Sequence, residues 1–341
     1  MNEVVNMTPE SRRRNVASDL RPGAHQCWYP IALSKDIKKE TIRGIDIADG
    51  RVVLYRGEDG VARVTSAFCK HMGADLSIGA DIVGNEIRCP YHHWTYGEGG
   101  RCTKIPSGDA IPKTARLANF PVKERGGLIW MFLGEEPLYD LPTFDEYDDK
   151  DNFVCHAFEV KYTELLRVEP WIFTTNIFDI VHNRVVHGLD IAEPDVVVEN
   201  PYLRRMSWDA KHTGEKATGT WRQAIEVYGT NSIKMRGTWD DRTKWYVSAL
   251  TPCGREGTRH FFSILTTKDE GAEAFLQQAE QLHTRFVHED LPILNGLRYG
   301  DYHLVGADRA MARFISDVRK YPRITIDALE SAASMAGRKG I

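Results

Sequence analysis

The pattern of apolar and polar positions divides the chain into two regions of different character. From about Cys27 to residue 133, short alternating runs are separated by turns, and RVVLYRGEDGVARVTSAF has Glu58-Asp59-Gly60 between two such runs. A period of two around a glycine-containing turn is typical of a β-hairpin. This region is therefore predicted to be a small all-β module, with further strands at 85–88, 116–124 and 127–133.

The second region mixes strands with helices. VEPWIFTTNIFDIVHNRVVHG predicts one helix from near Pro170 to Gly188, because proline suits a first turn and glycine a helix end. Strands are predicted over FVCHAFEVKY and again between 196 and 267. Apolar residues at helical spacing then predict a long helix from about 270 to 290. The fold class is α+β.

Two segments of different composition set the predicted domain boundaries. Residues 1–24 are polar and rich in arginine, as expected of an N-terminal arm. EEPLYDLPTFDEYDDKDN, residues 135–152, is acidic and is interrupted by Pro137 and Pro142, which predicts a linker. We therefore divide the chain into an arm (1–24), an all-β domain (25–135) and a larger domain (136–341).

Composition narrows the class of protein. The 341 residues are 42% hydrophobic and 27% charged, as in ordinary globular proteins. The net charge of -4 gives no basic field of the kind that attracts nucleic acid or an anionic membrane. No run reaches membrane-spanning length, and the N-terminus lacks the apolar segment of a secretory signal. These features predict a cytoplasmic protein, in which the 6 cysteines are free thiols or metal ligands.

The stretch CKHMGADLSIGADIVGNEIRCPYHHW pairs a cysteine with a histidine twice. Cys69 and His71 form the first pair, and Cys89 and His92 the second, in the pattern C-x-H-x17-C-x-x-H. A [2Fe–2S] centre with two cysteines on one iron and two histidines on the other requires this mixture. A zinc knuckle is the alternative, although structural zinc sites usually take their cysteines as a pair from one loop.

The motif resembles the cluster motif of Rieske proteins. Rieske oxygenases usually have glycine after the second histidine, whereas this chain has His93 there. The spacing favours His92 as the ligand, with His93 as a neighbour. Basic residues surround both pairs and either dock an acidic electron donor or form a solvated rim, namely Lys70, Arg88, Arg101 and Lys104.

A second group of candidate ligands lies in NIFDIVHNRVVHG. Asn176, Asp179 and His182 are three residues apart and would share one helix face. His187 follows five residues after His182, so a distortion near 183–184 is expected if both imidazoles converge. Two histidines and one carboxylate form the facial triad of non-haem Fe(II) oxygenases. A buried helix with two hydrogen-bonded histidines would explain the pair equally well.

The carboxylate of such a triad must come from elsewhere in the chain. Asp290 is four residues after Phe286 and eight after Leu282, on the inward stripe of the last long helix. A carboxylate there is costly unless it is paired or binds a metal. Glu289 is predicted to face away from the stripe, and Asp301 is a further competitor. Asp290 is therefore the predicted third ligand.

The order of these motifs, from about Cys27 to Tyr321, resembles the oxygenase component of Rieske non-haem iron oxygenases. The length is most similar to the compact monooxygenases and demethylases, which assemble as homotrimers. The resemblance implies a Rieske domain followed by a catalytic domain with an antiparallel sheet flanked by helices. It also implies two cofactors, a [2Fe–2S] Rieske cluster and a mononuclear Fe(II).

The resemblance further implies a path for electrons. They would pass from NAD(P)H through a flavin reductase, often with a ferredoxin, to the cluster, and then to the iron of a neighbouring subunit. There O₂ would hydroxylate a C–H bond of a small organic substrate. Asp179 would bridge the centres, holding His182 and accepting a hydrogen bond from a cluster histidine of that neighbour, His71 or His92. Asn176 would lie near the iron.

Other activities remain open at the level of sequence. Oxidative O- or N-demethylation differs from hydroxylation only in which carbon faces the iron. An electron-transfer protein without catalytic iron and a zinc-stabilised binding protein are alternatives of other classes. A pocket over the iron is predicted between the strands of 200–265 and the long helix, with apolar walls from Trp221, Trp239, Trp245 and Phe261. Arginines in those strands leave room for an ionic ligand.

Overall fold

The computed structural model describes residues 21–162, 164–192, 194–212, 220–239, 242–254, 256–298 and 303–339. Most of the predicted arm and the competitor Asp301 lie outside these residues. The helices are α1 Pro170–Thr175, α2 Ile180–His187, α3 Ala272–Leu294, α4 Arg309–Val318 and α5 Ile326–Lys339. The strands are β1 Ala24–His25, β2 Trp28–Leu33, β3 Ile42–Ile47, β4 Gly50–Arg56, β5 Ala62–Ser66, β6 Asp81–Val83, β7 Glu86–Arg88, β8 Thr95–Tyr96, β9 Cys102–Lys104, β10 Asn119–Phe120, β11 Val122–Arg125, β12 Leu128–Phe132, β13 Phe153–Glu159, β14 Leu189–Ile191, β15 Val197–Asn200, β16 Leu203–His212, β17 Thr220–Tyr228, β18 Ser232–Trp239, β19 Arg242–Pro252, β20 Thr258–Thr267 and β21 Arg323–Ile324.

The first region is all-β, as its alternating pattern predicts. One antiparallel sheet has the order β10-β5-β4-β3 and a second the order β11-β12-β2. The predicted hairpin is β4 paired with β5, and Gly60 takes a φ of 79° in its turn. A third sheet, β6-β7-β8-β9, carries the loops in which the two Cys/His pairs lie.

The second region is built on one large antiparallel sheet. Its order is β13-β20-β19-β18-β17-β16-β14, with β15 added alongside β16. One face of the sheet packs against α1, α3 and α4 in a core that includes Ile264, Leu282 and Phe314. The predicted α+β class, with an antiparallel sheet flanked by helices, is confirmed.

The segment predicted to be a linker is packed rather than loose. Leu141 and Phe144 are buried in a cluster with Trp28 and Trp130 of the first region and Trp245 of the large sheet. The segment thus fills the space between the outer face of that sheet and the first region, because its apolar residues occur between the acidic ones.

The C-terminal segment returns to the first region. β21 pairs with β1, and Ile326 and Leu329 of α5 are buried in a core shared with Val52 and Leu54 of β4. Lys70, beside the first ligand pair, forms an ion pair with Glu330. The first and last described segments, around β1 and α5, are therefore tied together next to the Cys/His loops.

The single helix predicted from 170 to 188 is interrupted. A 3₁₀ turn, Asn176–Phe178, follows α1, and Asp179 is extended, with φ −98° and ψ 93°, before α2 begins. Its Oδ1 accepts the His182 N–H at 2.8 Å, so Asp179 is the N-cap of α2. The distortion expected near 183–184 is wrong in position, because an aspartate that competes for backbone donors starts a new helix three residues earlier.

Candidate metal centres and the adjoining cavity

The two Cys/His loops have the same backbone design. Cys69 N–H donates to Ala74 O at 2.9 Å, and Cys89 N–H donates to Trp94 O at 2.9 Å, five residues on in each case. In each loop the residue four after the cysteine donates back to the cysteine carbonyl. Both thiols are buried, whereas His71 and His92 are exposed. The loops thus place two thiols inward and two imidazoles outward.

The like ligands of the two loops approach one another. The rings of His71 and His92 have centroids 4.5 Å apart, and Trp94 stacks on His71 at 4.7 Å. Burial raises the pKa of Cys69, and the adjacent Cys89 thiol adds to this increase. Pairing cysteine with cysteine and histidine with histidine fits a [2Fe–2S] centre that is ligated by two cysteines on one iron and two histidines on the other.

His93 occupies a strained backbone position. It is the fourth residue after Cys89 and has a φ of 56°, while the equivalent residue of the first loop is Gly73, with a φ of 74°. The left-handed region favours glycine, which explains why the motif usually has glycine there. Histidine tolerates this region better than β-branched residues do. His93 is exposed beside the loop, and His92 is the histidine whose ring lies against that of His71.

Basic residues near the loops are in part already paired. Lys70 binds Glu330, and Arg88 donates through Nε to Asp81 Oδ1 at 2.9 Å. Arg101 and Lys104 are exposed. Of the four basic side chains considered for docking an electron donor, two are therefore already in ion pairs within the chain.

The second predicted ligand set comes together from two helices. His182 Nε2 lies 3.2 Å from His187 Nε2, and Asp290 Oδ1 lies 3.1 Å from the first and 3.2 Å from the second. These three form the one group of possible metal ligands this compact in the described residues. Adjacent ligands of an octahedral metal bound at about 2.1 Å are about 3.0 Å apart. The triangle therefore has the dimensions of a facial triad.

The electrostatics of this site suit a bound cation. Asp290 Oδ1 is buried and accepts no hydrogen bond within the described chain. Burial favours the neutral acid, but the two imidazoles outweigh it and lower the pKa of Asp290. Burial opposes the charged form of His187, yet the carboxylates of Asp290 and Glu289 outweigh it and raise its pKa. A divalent cation would satisfy the orphaned oxygen, and its binding would displace any proton from the ligand nitrogens of the two imidazoles.

The helical pattern predicts that Glu289 faces away from the inward stripe of α3. In the structure Glu289 nevertheless contacts the site. Its Oε2 lies 2.9 Å from His187 Nδ1, the nitrogen opposite the one in the triad. Carboxylates commonly hold metal-binding histidines in this way, fixing the tautomer and the ring orientation. Sequence spacing missed this contact because it places Glu289 relative to its own helix and not relative to α2.

Asn176 and Asp179 flank the triad. Asn176 Nδ2 donates to Asp290 Oδ2 at 3.2 Å, so it orients the carboxylate. Asp179 is half-buried and contacts His182 through the backbone N–H at 2.8 Å rather than through the ring. The predicted contact between Asp179 and the second ring nitrogen of His182 is not among the hydrogen bonds of the described chain. Its bridging role stays a prediction.

A cavity of about 100 Å³ adjoins the triad. The triad residues line it together with aromatic and aliphatic residues, most of them from the large sheet and α3. Strand alternation decides which of these residues take part. Tyr246 and Phe262 face the cavity, whereas the predicted Trp245 and Phe261 face the opposite side of the sheet and pack in the cluster with Trp28.

The polar residues of the cavity were missed by sequence reasoning. Ser248, His260 and His283 line it, and Lys244 lies directly behind His283. The arginines considered for an ionic ligand are elsewhere, since Arg204 pairs with Asp317 and Arg205 with Glu226. The sequence did contain a clue. Positions 244, 246 and 248 are two residues apart in β19, so their side chains lie on the same face of the strand, and this places Lys244 on the face of the cavity residues Tyr246 and Ser248.

Comparison with known proteins identifies the domain that contains the two Cys/His loops. Residues 27–121 match the Rieske [2Fe-2S] domain family. This part of the chain is a Rieske domain. The fold of the chain is shared with dicamba monooxygenase bound to dicamba, with a TM-score of 0.65 and 22% identity over 90% of this chain and 98% of that one. NdmA of Pseudomonas putida CBB5, as the QL mutant with theobromine, gives a TM-score of 0.67 and 19% identity over 90% and 94%.

Relatives by sequence match this chain only in part. Cholesterol 7-desaturase nvd of Bombyx mori is 34% identical over 207 residues, 59% of this chain and 44% of the relative. Chlorophyllide a oxygenase of Oryza sativa subsp. japonica is 31% identical over 193 residues, 56% of this chain and 34% of the relative. The chain therefore spans less than half the length of these two relatives.

The residues present fit the cofactors that the domain and the fold imply. The paired thiols and paired imidazoles suit the Rieske cluster, and the triad with its orphaned carboxylate oxygen suits mononuclear iron. No helix of the described residues has the length and apolarity needed to cross a membrane.

Replacing Glu289 by alanine is expected to weaken binding of the mononuclear iron by about 10- to 100-fold, the usual cost of losing such a carboxylate. Glu289→Gln keeps an oxygen acceptor for His187 Nδ1 and should lose less. Affinity is measured by Fe(II) competition with a chelator, on protein that retains its cluster. Glu280→Ala is the matched control, because Glu280 lies on the same helix and pairs with His156. An alanine variant with unchanged affinity would remove Glu289 from the site.

Proposed function

We propose that the chain is the oxygenase component of a Rieske non-haem iron monooxygenase, which uses O₂ to hydroxylate a C–H bond of a small organic substrate. The observation that carries the proposal is the convergence of His182, His187 and Asp290 in the lining of an aromatic cavity, in a chain that also has a Rieske domain. A carrier of electrons alone has no use for the triad or the cavity.

The residues of the site have separable tasks. When bound, the two cofactors supply single electrons and a metal position at which O₂ is reduced. The carboxylate of Asp290 offsets the charge of the cation, and Asn176 holds that carboxylate in place. Glu289 fixes the ring of His187. The aromatic walls keep bulk water from the cavity, which protects a reactive site from side reactions.

We further propose a homotrimer in which the Rieske domain of one subunit contacts the triad region of the next. Exposed apolar residues occur at both places. Met72 is 65% and Tyr91 62% exposed beside the cluster ligands, and Val185 is 76% exposed on α2 beside the triad. Exposed apolar patches of this kind mark interaction surfaces, and head-to-tail contacts close into rings.

Asp179 is proposed to bridge the two centres across this contact. Its Oδ1 caps α2, so its second oxygen is left to accept a hydrogen bond from His71 or His92 of a neighbouring subunit. The electron donor is proposed to be a ferredoxin or a flavin reductase supplied by NAD(P)H, and the location is proposed to be cytoplasmic. Neither nucleic acid nor a membrane is proposed as a partner.

Metal and sulfide content tests the proposal. Protein purified without oxygen is expected to contain two cluster irons, two acid-labile sulfides and one further iron per chain, with a Rieske-type EPR signal after dithionite reduction. Two irons that do not increase when Fe(II) is added would indicate an electron carrier, and absence of sulfide would indicate a zinc-type site. If substrates with O- or N-methyl groups release formaldehyde, the activity is the demethylation alternative.

A further inference from the structure

A row of four rings leads from the candidate metal triad towards the surface. The ring centre of His187 lies 4.7 Å from that of Phe286, and Phe286 lies 6.0 Å from Trp221. Trp221 in turn lies 5.9 Å from Trp239. Trp221 is buried and lines the cavity, whereas Trp239 is half-buried. The row therefore begins at a triad residue and ends at a side chain that solvent reaches.

Strand register explains how the two tryptophans connect the inside with the outside. Trp221 of β17 and Trp239 of β18 are cross-strand partners, and such partners lie side by side on one face of a sheet. Trp239 is the last residue of β18 and lines a second pocket, whose other residues include Arg242 and the exposed Asp269. The pair thus spans the distance between the cavity and this outer pocket.

The two indoles are the members of the row that can give up an electron. Indole and phenol are the side-chain rings that are most easily oxidised, whereas the phenyl ring of Phe286 only separates donor and acceptor. Tyr246 also lines the cavity, but a phenol loses its hydroxyl proton when it is oxidised. That hydroxyl donates to Met235 Sδ, and a thioether is too weak an acceptor to take the proton. An indole can lose an electron and keep its N–H proton, so Trp221 needs no base.

Lys244 lies against both indoles. Its Nζ is 4.3 Å from the ring centre of Trp221 and 5.2 Å from that of Trp239. A fixed positive charge at this position would oppose a positive charge on either ring. Burial lowers the pKa of Lys244 to about 7, so the uncharged amine is abundant near neutral pH. The lysine therefore does not prevent oxidation of the pair.

We propose that Trp221 and Trp239 form a protective electron path, which supplies electrons to the triad site when an oxidant forms there and no substrate is present to consume it. The inference rests on the proposed function, because the oxidant arises at the mononuclear iron. It adds a second task to the aromatic wall, beyond enclosing the substrate.

Reduction of hydrogen peroxide at the triad shows the electron balance. Peroxide takes up two electrons and two protons from solvent and forms two water molecules. One electron comes from bound Fe(II), which becomes Fe(III), and the other comes from Trp221, which becomes an indole radical cation. Trp239 then reduces Trp221, and a one-electron reductant in solution reduces Trp239 at the outer pocket. Both tryptophans return to their original state.

Hydrogen peroxide added without substrate tests the path without turnover. The full-length protein carries its cluster in the oxidised state and Fe(II) at the triad, so the cluster cannot supply the second electron. Samples frozen soon after mixing are expected to give the EPR signal of an indole radical, which narrows when the tryptophan rings are deuterated. A tyrosine radical in its place, or no organic radical in protein that holds all of its iron, would overturn the inference.

Phenylalanine substitutions locate the path, because they keep an aromatic ring but remove the donor. Trp221→Phe is expected to lose the radical signal. Trp239→Phe should form a radical at Trp221 that ascorbate removes more slowly than in the wild type. Trp245→Phe is the matched control and should behave as the wild type, since Trp245 is buried on the opposite face of the same sheet. Loss of the signal in Trp208→Phe, whose indole also lines the cavity, with a normal signal in Trp221→Phe would contradict the proposal.

Protection is measured as the retention of triad iron through repeated additions of peroxide. With ascorbate present, Trp239→Phe is expected to lose this iron after fewer additions than the wild type or Trp245→Phe, with oxygen adducts on His182 or His187 in peptide mass spectra. Equal loss in the three proteins would show that the indoles do not protect the site. Iron is counted before peroxide is added, so that missing mononuclear iron counts against the proposed function, whereas absence of the radical in fully loaded protein counts against this inference alone.

Discussion

Asp290→Ala is expected to empty the mononuclear site while the Rieske cluster stays in place. The carboxylate supplies one of three ligand atoms, and its Oδ1 lies 3.1 and 3.2 Å from the two imidazole nitrogens. Losing a direct ligand must cost more than the 10- to 100-fold typical of an outer carboxylate, so we expect iron affinity to fall by more than about 100-fold. Turnover is expected to be lost with it.

The measurement is iron and sulfide per chain together with the EPR signal of the reduced cluster. Sulfide content and the cluster signal should match the wild type, because Asp290 lies on α3 and the cluster ligands lie in the loops of the first region. Glu280→Ala on the same helix should keep all of its iron. If Asp290→Ala also keeps the third iron, the ligand must be sought at Glu289, whose Oε2 is 2.9 Å from His187, or at Asp301.

Asp179→Asn is expected to retain both metals and to lose activity by about 10- to 100-fold or more. The substitution separates two roles of one side chain. Asparagine caps a helix as well as aspartate does, so its side-chain oxygen should still accept the His182 N–H and α2 should remain intact. What the variant lacks is the negative charge that would hold a cluster histidine of a neighbouring subunit.

The test compares metal content with the rate at which O₂ reoxidises the dithionite-reduced cluster. Normal iron and sulfide with slow reoxidation would support the bridge. Asp190→Asn is the control, because Asp190 lies nearby, is exposed and pairs with Arg184. Asp179→Ala adds the loss of the cap, which should cost about 1 kcal/mol of stability beyond the effect of asparagine. Full activity in Asp179→Asn would end the bridging proposal.

The Rieske loops are local in sequence, and this explains why they were predictable. Each loop places its cysteine and histidine within four residues, and the two backbone hydrogen bonds that close each loop on its cysteine span at most five. Residue type and spacing alone are therefore enough to predict the donor set. Even the unusual His93 could be noticed as a departure, although only the backbone shows that it carries the positive φ of a glycine position.

The candidate metal triad was predictable in part. The His182 and His187 pair lies in one short segment, and Asp290 followed from the cost of burying a carboxylate on an apolar stripe. The position of the helix break was wrong, because the pattern of apolar residues continues through Asp179 and does not reveal that its side chain caps a new helix. Spacing within α3 also could not predict that Glu289 contacts His187 of α2 through the ring nitrogen opposite the triad.

The residues that line the cavity were the part of the site that the sequence predicted least well. Alternation in β19 and β20 is visible in the sequence, yet it does not say which face meets the triad. Both faces of the large sheet are covered by apolar residues, one by helices and the other by the first region and the segment 135–152. The predicted Trp245 and Phe261 were therefore assigned to the wrong side, and Lys244 and His283 were missed.

Local spacing and the cost of buried charge were enough to predict the α+β class, the Rieske domain and the residue types of both candidate metal centres. The meeting of His182, His187 and Asp290, the contact of Glu289 with His187, and the choice of polar groups that face the cavity come from the tertiary fold. Those facts depend on the packing of α2 and α3 against one face of a large sheet. Such contacts join residues about a hundred positions apart, and periodicity within either segment carries no information about them.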